Sequence, residues 1–144
     1  MKIVNTLLNQ ADDINLCLTE FVQQFKTLSL AQRFDRSTII FAKLSDFFQQ
    51  QDAIITYTFK HNPHYQSRFK TFETAHSELL DIYEHTILLH VQEDRYRDAI
   101  QLLHDKFKIY LDVHYEELMC QIQADFTEQD EARILNQLKS VAMV

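Results

Sequence analysis

The chain has 144 residues, no glycine, a single proline and a net charge of −7 at neutral pH. A β-rich fold needs a turn residue about every ten positions, so this composition excludes one. No cluster of Lys or Arg marks a nucleic-acid or anionic-membrane surface. What remains is an all-α chain, long enough for residues 1–144 to form one domain with a sizeable core.

The expected elements follow from helical periodicity. Leu7, Ala11, Ile14, Leu18, Phe21, Val22 and Phe25 repeat along one face and predict a first helix from about Asn5 to Leu28. Asp12 and Asp13 fall off that face and read as solvated. Ser29 followed by Gln32 has the pattern of a capping box, which opens a second helix near Leu30, although Asp35 or Ser37 also fits the cap. The second stripe, Ile40, Leu44, Phe47, Phe48, Gln51, Ile54, Ile55 and Thr58, carries that helix to about Phe59.

Asn62 and Pro63 are the strongest punctuation in the chain, an N-cap followed by a first-turn proline. They predict one long third helix reaching about His90, with Phe69, Phe72, Ala75, His76, Leu79, Leu80, Tyr83, Ile87 and His90 inward. A polar link, Val91-Gln92-Glu93, leads to a fourth helix ending near Phe126. At about 100° per residue, Leu103, Phe107, Tyr110, Leu111, Leu118 and Ile122 share its greasy face, and His114 and Glu117 land inside that face. Thr127-Glu128-Gln129-Asp130 caps a short fifth helix with Ala132, Leu135 and Leu138 inward. Four long stripes with short links predict an antiparallel up-down-up-down four-helix bundle with a short C-terminal fifth helix.

No apolar run approaches the ~18 residues of a membrane span. The opening MKIVNTLLNQADDIN turns polar too early for a secretory signal. Cys17 and Cys120 sit among apolar residues and read as buried thiols of a cytoplasmic protein.

The candidate site residues are those that interrupt the apolar stripes, because bundle cores are where metals and cofactors sit. Gln51 interrupts the second stripe, His76 and His90 the third, His114 and Glu117 the fourth. His76 and His90 are about 21 Å apart along a helix axis and cannot share a site. An antiparallel third and fourth helix brings His76 level with His114 and Glu117. Each has a plain reading as a hydrogen-bonded core group. A buried Glu117 carboxylate then needs a partner, and either His76 or His114 supplies one. The sharper reading is a metal site of His76, His114 and Glu117, with Asp112 and Glu116 in reserve, since two histidines and a carboxylate can hold one Fe(II).

This spacing resembles the hemerythrin-like (HHE) four-helix bundle, over most of the chain. That family sets an early His on helix one, H-x-x-x-E on helix two, a His on helix three and H-x-x-x-E on helix four. Here Asp12 or Asp13 stands near the first, Phe47 and Gln51 stand at the second, and His76 in FETAHSELL matches the third. On the fourth, Asp112 with Glu116 and Val113 with Glu117 have the i, i+4 spacing, whereas His114 and Glu117 are three apart. The resemblance implies the bundle fold with most ligands of the di-iron site replaced. It implies a non-enzymatic protein without a cofactor that binds or regulates a protein partner. The alternative is an iron-binding protein with the reduced site. With no glycine there is neither a nucleophile elbow nor a phosphate-cradling loop, so catalysis without a metal is not expected. The Phe and Ile content of the first two stripes leaves room for a homodimer. A third reading is an acidic inhibitor of a basic protein.

Overall fold

The structure, a computed structural model, describes residues 2–92 and 94–142. The described residues are helical almost throughout, with no strand. The helices are α1 (Lys2–Gln24), α2 (Leu30–His61), α3 (His64–Arg68), α4 (Lys70–Ile87), α5 (Asp94–Ile109), α6 (Glu116–Asp125) and α7 (Glu128–Ala142). No described residue has a positive φ.

The first two stripes fold as their periodicity dictates. Leu7, Ala11, Ile14, Leu18, Phe21 and Phe25 are buried, and α1 closes in a 3₁₀ turn, Phe25–Thr27. Ser29 and Gln32 form the expected capping box: each side chain accepts the other's backbone N–H, at 3.2 and 2.9 Å. Lys43 reaches Asp13 at 2.6 Å and Arg36 reaches Gln24 at 2.6 Å, so late residues of α1 lie beside early residues of α2. Helix α5 packs along both α1 and α4, and α7 lies against α2. Tyr57 donates to Asp130 at 2.7 Å and the Ile3 N–H donates to Glu131 at 3.0 Å. The α7 carboxylates thus fasten that helix to α2 and to the positive end of α1.

The third stripe is two helices, not one. The joint falls at Phe69 (φ −111°, ψ 32°), whose ring is buried against Tyr65 with centroids 5.5 Å apart. Tyr65 in turn donates to Asp125, which ties α3 to α6. Helix α4 stops at Ile87, short of the expected His90, which is exposed. Of the link expected after it, Glu93 lies outside the described residues. On α4 only Phe72, Leu79 and Thr86 are fully buried. Ile87, expected inward, is largely exposed.

The largest departure lies in the fourth stripe. Between α5 and α6 the backbone takes a π turn, Tyr110–Tyr115. A π turn holds one more residue than the α turn it replaces, so everything after it is rotated by about 100° from a uniform helix. Tyr115 therefore enters the core where a uniform helix would have placed His114, and Leu118, Met119 and Ile122 follow it. His114 is left half-buried, while Glu117 and Cys120 are exposed. The exposure of Cys120 corrects the expectation of a buried thiol, since it lies away from the face that carries Leu118, Met119 and Ile122; Cys17 is half-buried. In α7 the core residue is Ile134, whereas Ala132 and Leu135 are exposed and Leu138 is half-buried. Its fastening through Asp130 and Glu131 fixes that rotation.

This register shift yields a prediction. Deleting the exposed Val113 converts the π turn to an α turn and keeps α6 in phase, so the variant should remain folded with a cooperative urea transition. Deleting the exposed Asp105, inside α5, should rotate Phe107 and Tyr110 out of the core and abolish that transition.

Candidate functional site

The polar residues nearest the middle of the core come from three helices. Gln51 on α2 is completely buried. Its amide nitrogen donates to the Tyr110 hydroxyl and lies 3.0 Å from His76 Nδ1. His76 Nε2 is 3.3 Å from the carboxylate of Asp52, whose side chain is 61% exposed against 15% for the imidazole. With Nε2–H toward Asp52, Nδ1 is left to accept from the Gln51 amide, which fixes the tautomer. Phe72 stacks on His76 at 8° between planes, and Tyr110 packs on Phe72 at 5.6 Å. The result is a clamp from a surface carboxylate to a buried phenol. The sequence marked Gln51 and His76 correctly as stripe interruptions, but Tyr110 read there as plain core.

Two buried polar atoms in this region have no hydrogen-bond partner among the described residues, Gln51 Oε1 and the Tyr115 hydroxyl. Burial pushes the Tyr115 phenol far above its usual range. Tyr110 is driven up by burial first and by the neighbouring Tyr115 second. Both therefore remain neutral phenols. The signal that would have found Tyr115 is the spacing Phe107, Leu111, Tyr115, Leu118/Met119, Ile122, with its four-residue steps through the π turn.

The expected ligands do not gather. His114 lines a recess of about 80 Å³ between α4 and α5, with Ala75, Glu78, Leu79 and Lys106. Glu117, Asp112 and Glu116 are exposed. Phe47 packs against the rings of Tyr115 and Phe107 at 5.3 and 5.9 Å. Both nitrogens of His76 are engaged, and no three His, Cys, Asp or Glu side chains among the described residues lie close enough to hold a metal ion. These residues do not fit a bundle-core iron centre.

A second histidine is set between α1 and α5. The Thr19 hydroxyl donates its single proton to the Asn15 carbonyl at 2.8 Å, so it accepts from His104 Nε2–H at 2.9 Å. His104 Nδ1 is buried without a hydrogen-bond partner, 3.9 Å from Asp105. Burial pulls this imidazole below its usual range, partly offset by Asp105.

Among the described residues, two surface grooves have room for part of another molecule. A groove of about 660 Å³ lies between α1, α2 and α7, with Ile3, Leu135 and Leu138 on its floor and a polar rim that includes Lys2, Asp46 and Lys139. It is the wedge beside the α7 fastening, and Glu131 in its wall is already engaged by the Ile3 N–H. The other is a seam between α4 and α5. A groove of about 390 Å³ over Ile82, Thr86, Leu89, Ala99 and Leu102 meets the His114 recess at Ile82, which lines both. Leu102 and Ile109 on this seam are 46% and 52% exposed. No helix among the described residues is long and apolar enough to cross a membrane. No protein-family model, curated protein or solved structure matches the chain.

Tyr110→Phe removes an acceptor from the buried Gln51 amide, and should cost about 1–3 kcal/mol of unfolding free energy in urea titration. His104 gives a pH dependence. Its folded-state pKa lies below the unfolded value, so the unfolded chain takes the proton first. The stability it contributes is present above about pH 6.5 and is lost as pH falls below that value. The wild-type chain should therefore lose more stability between pH 7.5 and 5.5 than His104→Gln does.

Proposed function

We propose that this chain is an antiparallel up-down-up-down four-helix bundle that works by binding another protein and not by catalysis. Its helix order resembles that of a hemerythrin-like bundle, with aromatic and amide side chains where the di-iron ligands would be. The segments α1, α2, α3–α4 and α5–α6 supply the four rods, and α7 straps them at one end.

One observation carries the binding reading: the apolar seam between α4 and α5. Helix α4 buries only Phe72, Leu79 and Thr86 completely, so much of its surface is left for something outside the bundle. Ile82, Leu102 and Ile109 line that surface, and Glu78, Asp81, Asp98 and Lys106 border it. An apolar strip with a charged border is what a docked helix needs, since the strip supplies burial and the border supplies orientation.

The central clamp supports the same reading. Gln51 places an amide, neither a nucleophile nor a proton carrier, between His76 and Tyr110, so the cluster orders three helices without providing acid–base chemistry.

The reading is tested by placing a photoreactive benzoylphenylalanine at position 102 in cells, with position 12, exposed on α1, as the control. Protein adducts formed from position 102 and not from position 12 are expected. Equal labelling from both positions, or none from 102, would remove the seam as a docking surface.

A further inference from the structure

We propose that the partner seated on the α4–α5 seam is a second copy of this chain, related by a two-fold axis running along the seam. The proposal rests on the binding reading above and names its partner.

Charge singles out a second copy as the occupant. Helix α4 carries four carboxylates, Glu73, Glu78, Asp81 and Glu84, against one lysine, Lys70. Helix α5 carries four basic residues, Arg95, Arg97, Lys106 and Lys108, against three acidic ones. On the seam itself α4 presents Glu78 and Asp81, whereas α5 presents Arg95 and Lys106 with Asp98 between them, so one wall is acidic and the other carries a net positive charge. Glu78 and Lys106 line the same recess from opposite walls, and neither makes an ion pair with a described residue.

The two ways of laying this face on its own copy differ sharply. A two-fold axis across the helices sets α4 on α4 and α5 on α5, acid on acid. A two-fold axis along the helices sets α4 of each copy on α5 of the other and keeps the level of every residue. Residues that share a groove in one copy then face each other between copies. Glu78 meets Lys106 of the second copy, twice by symmetry, while Leu102 and Ile109 close over the Ile82 strip from both sides. This is an isologous interface, self-complementary in charge and in apolar surface.

The extent is also adequate. Eighteen residues of α4 span about 27 Å, and two helices side by side are roughly 20 Å across. A corrugated face of that size is what a standard interface of about 800 Å² per partner occupies. The exposed apolar side chains lie along its length, with Glu78, Asp81, Asp98 and Lys106 along its borders, which is the anatomy of such an interface.

The test is sedimentation equilibrium of the full chain over a range of concentrations, with circular dichroism melts to show that each variant is folded. The wild-type mass should rise from 17.2 kDa toward twice that value. Glu78→Lys should weaken self-association about ten-fold, because two symmetric pairs become repulsive. Adding Lys106→Glu to Glu78→Lys should restore it, whereas Lys106→Glu alone should weaken it as Glu78→Lys does. Leu102→Asp should abolish it. A wild-type chain that stays monomeric to about 100 µM, or a dimer indifferent to Glu78→Lys and to Leu102→Asp, would overturn the proposal. The position-102 adduct separates the two readings. An adduct of twice the chain mass supports the dimer. An adduct of another mass overturns the dimer and leaves the docking seam standing, and no adduct removes both.

Discussion

The structure depends on one extra residue. The π turn at Tyr110–Tyr115 decides which side chains of the chain's last third face inward. Before it, Tyr96, Ile100, Leu103 and Phe107 hold one face to the core; after it, Tyr115, Leu118, Met119 and Ile122 do. A uniform helix would have set an imidazole in the core at that point. The turn sets a phenol there, ringed by Phe47 and Tyr110. A phenol is larger and carries no charge in this setting, so the middle of the domain is filled where a metal-binding bundle stays open and ionic. The half-burial of His114 and the exposure of Glu117 follow from that one displacement.

The polar groups inside the core divide the work differently from the rings. Rings fill volume and tolerate several arrangements at similar cost. The Gln51 amide does not, because its nitrogen must find the Tyr110 oxygen and His76 Nδ1 together. The clamp therefore selects one relative rotation of α2, α4 and α5 among those the rings would accept. Asp52 extends that selection to the surface, where it holds His76 in a single tautomer.

Much of the fold was written in the sequence because the chain has no glycine and only one proline. Stripes of period 3.6 had nothing to interrupt them, and the Ser29–Gln32 box was visible as a spacing alone. Gln51 and His76 were legible for the same reason, as polar residues on apolar stripes. Glu117 and His114 were misplaced because a uniform period was assumed across a π turn, which has no composition signature. The break at Phe69 was equally silent: no turn residue marks it, and a buried ring sits at the joint. Ile134 was missed because the rotation of α7 is set by Asp130 and Glu131 reaching Tyr57 and Ile3, contacts more than seventy residues distant in sequence. Tertiary fastenings of that kind leave no local trace. The seam lies further still from sequence logic, since periodicity reports which face of a helix is apolar and not how much of that face its neighbours cover.

The helix ends described above have a consequence for the unfolded chain. Leu28 and Phe126 leave their helices in extended conformations, at φ −84° and −92°, and no joint among the described residues requires the left-handed region. Every joint among the described residues is therefore open to residues bearing a Cβ, and the glycine-free composition uses that freedom completely. A glycine exchanged for alanine at a compatible site narrows the denatured ensemble by about 0.4–1 kcal/mol. A chain that has made this exchange everywhere begins folding from a smaller set of conformations. Part of its stability is thus held by no contact at all.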